Sequence, residues 1–200
     1  MNSTRYYKLA IIIMIAMLIF SCSSSKEYGD TKQFGNFLKI KKSTESIYKK
    51  EVYEDYTYIL ENGILSFLDL DGKEIWRSDP YWFIDDFQLF DINGDGRIDC
   101  LFSLWKSYSF YKGVDKNDDP SVKNHLFLYT IIEGHAKSLW GSSNLPRPIY
   151  SFQIIEGTPN PVSTGAILKT IEGEYTKDYS KTEEIALTYT WQGWGFVPEN

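Results

Sequence analysis

The chain has 200 residues, of which 16% are aromatic, and it carries 21 basic and 27 acidic side chains. An acidic surface repels the phosphates of nucleic acids and anionic lipid headgroups, which argues against charge-driven binding to either. The length suits a single domain, and the aromatic content supplies ample material for a packed core. A chain that is disordered throughout is therefore excluded.

The first 21 residues have the pattern of a secretory signal peptide. Arg5 and Lys8 precede an uncharged run of 12 residues, Leu9 to Phe20. A membrane-spanning helix needs about 20 apolar residues, so a signal peptide is the better interpretation and an uncleaved membrane anchor is the alternative. Removal of residues 1–21 leaves 19 basic and 27 acidic side chains, a balance of −8.

The end of this run resembles the lipobox of bacterial lipoproteins. The residues are IFSC, Ile19 to Cys22, followed by SSSK, and Phe20 stands where a small residue is usual. The resemblance implies that Cys22 is acylated and anchors the protein by lipid in the bacterial cell envelope, at the outer membrane or the cell surface. Cys100 is then the one free thiol, so no intramolecular disulfide is expected. An ordinary signal peptide that contains a cysteine is the alternative.

Residues 22–50 are predicted to form a polar, flexible tether, and residues 51–200 the folded domain. The tether begins with SSSKEYGD and ends with KIKKSTESIYKK. This composition is typical of a linker that holds a domain away from lipid headgroups. Contact between its lysines and anionic lipid is the alternative.

Beyond residue 50, apolar and polar residues alternate over short runs that Gly, Asn, Asp or Pro interrupts. The segment TYILENGILSFLDLDGKEIWRS, Thr57 to Ser78, predicts three strands joined by two tight turns. No run in this part of the chain has helix periodicity over three turns. The sequence therefore predicts an all-β fold built from antiparallel sheets of three or four strands.

Two segments of the chain align with each other at a constant offset of 65 residues. SDPYWFIDDFQLFD, Ser78 to Asp91, matches SNLPRPIYSFQIIE, Ser143 to Glu156. Together with shorter matches, this predicts a repeated β unit present as one half and two whole copies. Such units favour two to three propeller-like blades, and a closed propeller needs at least four. An incomplete propeller, an open fan or closure by oligomerisation is therefore expected, with chance similarity as the alternative to a true repeat.

The segment DINGDGRIDC carries oxygen-bearing side chains at alternate positions. The candidate metal ligands are Asp91, Asn93, Asp95 and Asp99, with the backbone carbonyl of Arg97. Calcium prefers about six to eight oxygen ligands, and a tight loop with glycines can supply them. The sequence therefore predicts a Ca²⁺ site in this loop, with a metal-free polar turn as the alternative.

The loop and its flanking apolar runs, FQLFDINGDGRIDCLFSL from Phe87 to Leu104, resemble the FG-GAP and VCBS repeats of integrin-type β-propellers and bacterial surface proteins. The resemblance implies that the calcium is structural and joins two strands at the edge of a blade. The matching place in the second repeat, Glu156 to Ser163, lacks the aspartates. No second strong calcium site is therefore expected.

The sequence contains no motif that points to catalysis. GxSxG, P-loop and GxGxxG patterns are absent, and the spacing of His125 and His135 does not predict a zinc pair. Asp85 and Asp86 are adjacent in a predicted strand, so alternation would place them on opposite faces of the sheet. A catalytic carboxylate pair is therefore not predicted there.

The sequence predicts a non-enzymatic envelope lipoprotein whose calcium-stabilised β-repeat domain binds a protein or glycan partner. The candidate binding aromatics are Trp191, Trp194 and Phe196, with core packing as the alternative. The alternative function is a small envelope hydrolase or lyase that acts on polysaccharide through acidic residues. An enzyme should bring into one pocket at least two of the carboxylates Asp85, Asp86, Glu156, Glu172 and Glu174.

Overall fold

The computed structural model describes residues 31–44, 46–107, 122–158 and 165–199. The predicted signal peptide and Cys22 lie outside the described residues. Within the described ranges, the chain forms one helix and twelve strands. In that part of the chain, no helix is long and apolar enough to cross a membrane.

The strands form three consecutive four-stranded sheets, and every pair of neighbouring strands is antiparallel. This confirms the predicted all-β class. The helix is α1 (Thr31–Thr44). Sheet 1 contains β1 (Tyr48–Tyr53), β2 (Tyr56–Glu61), β3 (Ile64–Leu68) and β4 (Glu74–Arg77); sheet 2 contains β5 (Phe83–Phe90), β6 (Asp99–Ser107), β7 (Val122–Ile132) and β8 (His135–Gly141); sheet 3 contains β9 (Ile149–Glu156), β10 (Ala166–Glu172), β11 (Ile185–Trp191) and β12 (Phe196–Pro198).

The turn between β2 and β3 is the one that the sequence predicts. Asn62 and Gly63 have φ angles of 50° and 84°, the left-handed conformation that a two-residue hairpin turn requires. Gly63 is also fixed by packing, because a Cβ there would overlap the ring of Phe83. Glycine is therefore needed at position 63 for two reasons: the conformation of the turn and the close contact between sheets 1 and 2.

Sheet 2 lies between the other two sheets and is buried on both faces. Phe102 packs on the same side as Phe67 of sheet 1, whereas Leu101 packs with Leu168 of sheet 3. All nine residues of β6 are buried. A strand with two buried faces reads as a continuous apolar run, which explains the LFSLW pattern of this segment.

The aligned segments correspond to the first strands of sheets 2 and 3. These strands, β5 and β9, lie next to each other, and the fourth strands β4 and β8 are also neighbours. Gln88 joins the first strands: its Nε2 donates to the carbonyl oxygen of Phe152 at 2.7 Å, and its Oε1 accepts from the N–H of Ile154 at 2.8 Å. The sheets follow one another without closing into a ring.

Sheet 1 differs from the expected half unit. It is a complete four-stranded sheet within residues 48–77, but its strands are only four to six residues long. Because its strands are short and its turns are tight, sheet 1 fits four strands into a segment that is about as long as half of the predicted unit.

The segment predicted as a flexible tether contains α1 and the first half of β1. Phe34 and Phe37 of the helix are buried against Phe83 and Trp105, and Leu38 packs beside them. The ring of Phe37 lies 5.3 Å from that of Trp105 and 5.7 Å from that of Phe83. The sequence analysis did not predict this helix because its composition is mostly polar. Its buried face is narrow and consists of apolar residues at positions i, i+3 and i+4.

Candidate functional site

The predicted calcium loop joins β5 to β6 and is organised by its own amide groups. The carboxylate of Asp91 accepts hydrogen bonds from the backbone N–H groups of Gly94, Asp95 and Gly96 at 2.8, 3.1 and 2.9 Å. Gly94 and Gly96 have φ angles of 73° and 84°. Glycine adopts these angles without strain, so the chain can turn tightly around Asp91.

Asp95 is paired inside the loop. The Nη2 atom of Arg97 lies 2.6 Å from its Oδ2, and the Nδ2 of Asn93 donates to the same oxygen at 3.1 Å. Desolvation opposes ionisation, but the hydrogen bonds from Arg97 and Asn93 outweigh it and lower the pKa of the Asp95 carboxyl. Arg97 therefore supplies a positive charge here, in addition to the carbonyl that the sequence proposed as a metal ligand.

Asp99 is fully buried at the start of β6. Its Oδ2 accepts hydrogen bonds from the N–H groups of Ile92 and Asn93 at 3.1 and 3.4 Å. Its Oδ1 has no hydrogen-bond partner among the described residues. Burial raises the pKa of this carboxyl to about 6, although the backbone hydrogen bonds from Ile92 and Asn93 and the side chain of Thr130 act in the opposite direction. An unpartnered buried carboxylate oxygen is costly unless a proton or a cation satisfies it.

The donor chemistry of the loop fits calcium. Aspartate and asparagine oxygens are the ligands that this hard cation prefers, and the Oδ1 atom of Asp99 is without a partner. The carboxylates do not converge, however: in the described part of the chain, no three His, Cys, Asp or Glu residues are grouped to hold a metal. A metal ligand at Asp95 would also compete with Arg97. Calcium binding therefore stays a prediction.

A cavity of about 310 Å³ lies between sheets 2 and 3. Small-molecule sites occupy about 300–1,000 Å³, so this volume suits a small ligand or one group of a larger one. Four aromatic side chains and one carboxylate define its character: Trp140, Tyr189, Trp194, Phe196 and Glu172. This space is called the aromatic cavity below.

The carboxylate of the aromatic cavity is almost completely buried. Glu172 is 3% exposed, and its Oε1 accepts hydrogen bonds from the hydroxyls of Thr170 and Tyr189, both at 2.8 Å. Burial and the bond to Glu172 raise the pKa of the Tyr189 hydroxyl, which therefore remains a donor. Within the described ranges, no lysine or arginine forms an ion pair with Glu172.

The three candidate binding aromatics occupy different environments. Trp191 is 4% exposed and packs in the core, with its ring 5.8 Å from Trp140 and 5.2 Å from Phe196. Trp194 lies in the turn between β11 and β12 and is 70% exposed. Trp194 and Phe196 line the aromatic cavity, whereas core packing accounts for Trp191.

Sequence reasoning did not single out Trp140 or Tyr189, and it named Glu172 only as one of five acidic candidates, without these neighbours. Trp140, Glu172 and Tyr189 belong to β8, β10 and β11, so no local motif links them. Alternation along each strand indicates that these side chains share buried or half-buried faces. Only the packing of sheet 2 on sheet 3 shows that they meet.

Asp85 and Asp86 line one cavity of about 510 Å³, so the expectation that they face opposite sides is wrong. The pairing of β5 with β6 shifts here: Ile84 lies opposite Leu104, and Asp86 lies opposite Ser103. Asp85 is the extra residue of a β-bulge. A bulge interrupts strand alternation, which brings the two neighbouring carboxylates to the same cavity.

Both carboxylates take part in ion pairs with lysines. Asp85 binds Lys41 of α1 at 3.1 Å and accepts a hydrogen bond from Nε1 of Trp105, while Asp86 binds Lys49 of β1 at 3.0 Å. These contacts therefore tie α1 and β1 to β5.

The other three acidic candidates do not join Asp85 and Asp86. Glu172 lines the aromatic cavity instead. Glu174 lies 2.5 Å from Arg147, and Glu156 is exposed at the end of β9. The structure thus provides one adjacent pair of carboxylates, Asp85 and Asp86, and each of them forms an ion pair with a lysine.

His125 is a core residue. It is fully buried, and its Nδ1 lies 3.3 Å from the carbonyl oxygen of Ser142. Burial, together with the charge of Lys106, lowers its pKa to about 4, so the ring is neutral at pH 7. His135 is exposed at the start of β8.

Comparison with known proteins adds no relative. No protein-family model matches the chain. No curated protein matches its sequence, and no solved structure matches its fold.

Proposed function

We propose that this protein is a bacterial envelope lipoprotein whose β domain is a non-catalytic binding module for a protein or glycan partner. The observation that carries this proposal is the aromatic cavity. Trp194 is exposed beside it, and Phe196 lines it. Aromatic side chains at an open cavity supply a large contact area at low entropic cost, and their rings stack on sugars or on apolar groups of proteins.

The proposal includes a propeller-like arrangement of the three sheets. Consecutive four-stranded meanders, with first strands adjacent to first strands and fourth strands adjacent to fourth strands, support this arrangement. The likeness of residues 87–104 to FG-GAP and VCBS repeats points the same way. Acylation of Cys22 would hold the module at the outer membrane or the cell surface.

Calcium has a structural role in this proposal. Asp91, Asn93, Asp95 and Asp99 would hold the ion, with the carbonyl of Arg97, at the junction of β5 and β6. The unpartnered Oδ1 atom of Asp99 supports this assignment. A bound ion would stabilise the end of the central sheet and would take no part in ligand chemistry.

A polysaccharide hydrolase or lyase is the second candidate. Its support is the shared cavity of Asp85 and Asp86. Both side chains form ion pairs with lysines, and a catalytic role would require at least one of them to leave that contact. The geometry therefore favours binding.

The binding function can be tested with glycan fragments and peptides released from a bacterial envelope. The mature chain is titrated with each fraction while tryptophan fluorescence is recorded. Trp194→Ala should abolish the response, and Tyr48→Ala, which removes another exposed aromatic on sheet 1, should preserve it. An equal response from wild type and Trp194→Ala would refute a role for the aromatic cavity. Mass spectrometry that finds no acyl group on Cys22 would refute the lipid anchor.

A further inference from the structure

The lining of the aromatic cavity includes one carboxyl group, that of Glu172. No Asp, Lys, Arg or His is among the other residues that line it. The side chain of Glu172 accepts hydrogen bonds from the hydroxyls of Thr170 and Tyr189, which carry no positive charge. Arg147 acts electrostatically on Tyr189, but it is bound to Glu174 and does not line the cavity. A buried carboxylate without a counter-ion attracts a cation strongly, because little water screens it.

The walls of the cavity also suit a cation. Aromatic ring faces carry negative electrostatic potential, and they attract ammonium groups most strongly where water is excluded. Trp140 and Phe196 pack edge to face at 5.9 Å, so the wall is held in place by its own contacts. Trp194 lines the cavity and is 70% exposed, so a ligand can reach its ring.

The Ser142 hydroxyl in the lining of the cavity is already used by the protein. The hydroxyl of Ser142 already accepts a bond from the N–H of Leu126 at 3.0 Å and donates to the carbonyl oxygen of Ser143 at 2.8 Å. A primary ammonium has three N–H donors, and Glu172 can accept from one of them, so the other donors would lose their hydrogen bonds to water. A quaternary ammonium has no N–H groups, so it loses none.

We propose that the aromatic cavity binds an organic cation of the quaternary ammonium class, with Glu172 as its counter-ion and the aromatic side chains as its walls. This inference rests on the proposed binding function and specifies the chemistry of the ligand. It is independent of the calcium loop, which lies between β5 and β6.

The charge requirement can be tested by comparing two ligands of the same shape. Choline and its uncharged carbon analogue 3,3-dimethyl-1-butanol are titrated into the mature chain, with binding measured by calorimetry and by the NMR signals of the tryptophan indoles. Choline should bind at least about tenfold more tightly, since both attraction to Glu172 and cation–π contact depend on charge. Equal affinities would overturn the inference while leaving an apolar binding site, and hence the proposed function, intact. Absence of binding by both ligands would also overturn it.

Single substitutions test the contributions of Glu172 and of the aromatic side chains to choline binding separately. Glu172→Gln keeps the size of the side chain and an oxygen acceptor for Tyr189 and Thr170, so it should weaken choline binding at least about tenfold and leave the analogue unchanged. Trp194→Ala should weaken the binding of choline, and Tyr48→Ala should not. Unfolding midpoints show whether Glu172→Gln folds, and the exposed Trp194 provides the test if it does not. Wild-type affinity for choline in a folded Glu172→Gln variant, or in Trp194→Ala, contradicts the inference.

Free choline and a lipid headgroup present the same cation. Vesicles of phosphatidylcholine, with phosphatidylglycerol vesicles as the control, distinguish these sources by sedimentation of the non-acylated mature chain. Binding of free choline alone supports a soluble ligand, and additional binding to the phosphatidylcholine vesicles supports a headgroup. Vesicle binding that survives Trp194→Ala overturns recognition of the headgroup by the aromatic cavity.

Discussion

The buried histidine makes stability depend on pH in a defined direction. His125 has no exposed surface, and its Nε2 has no hydrogen-bond partner among the described residues. Protonation in the folded state would place a charge in the core near Lys106, and for these reasons its pKa is lowered from 6.5 to about 4. The unfolded chain therefore binds this proton more tightly than the folded chain. The stability contributed by neutral His125 is present above pH 6.5 and is lost as the pH falls towards 4.

The magnitude follows from the size of the shift. Each pKa unit corresponds to about 1.4 kcal/mol, so a fall in the pKa of His125 from 6.5 to about 4 corresponds to roughly 3 kcal/mol. Between pH 7 and pH 4.5, about 2 kcal/mol of this amount should be lost. Because the side chain is fully buried, solvent screening does not reduce this value substantially.

Urea unfolding followed by tryptophan fluorescence measures this effect. Wild type, His125→Asn and His135→Asn are compared at pH 7 and pH 4.5. His125→Asn should be less stable than wild type at pH 7 but should lose about 2 kcal/mol less on acidification, whereas His135→Asn should follow wild type since that residue is exposed. Equal losses in wild type and His125→Asn would refute the assignment of this pH dependence to the buried ring.

Two further predictions concern the calcium loop and the turn between β2 and β3. Saturating calcium should raise the thermal unfolding midpoint by several degrees over chelated protein, and Asp95→Ala should abolish the difference; equal midpoints with and without calcium contradict a structural metal. Gly63→Ala should destabilise the protein by roughly 2–3 kcal/mol, because it adds a clash with Phe83 to the strain of a positive φ. Gly72→Ala, which meets no atom within 4 Å, should cost only about 1 kcal/mol, and equal losses in urea unfolding would show that the contact with Phe83 is unimportant.

Local chemistry accounts for the parts of the fold that were predictable. The Asn62–Gly63 turn follows from backbone conformations that few residues adopt, and the strands around it follow from alternation with a period of two. The same reasoning located the tight loop after β5, where Gly94 and Gly96 have positive φ angles. Each of these features depends on residues close together in the chain.

Prediction failed where distant elements determine the outcome. The helix α1 has a polar composition, and it is ordered through Phe34 and Phe37, which pack against β5 and β6. Asp85 departs from strand alternation because a bulge inserts one residue opposite β6. Neither the docking of a helix nor the position of a bulge leaves a clear local pattern, since both depend on the shape of the surface that each element meets.

The sequence by itself determined the all-β class, the positions of the turns, and which aspartates and aromatic residues were candidates for a site. Only the tertiary structure decided that Trp140, Glu172 and Trp194 share a cavity and that Trp191 lies in the core. The reason is physical: alternation assigns a side chain to one face of its own strand, but it contains no information about which sheet covers that face. The neighbours of a side chain are chosen by packing between sheets, through contacts that are distant in the chain.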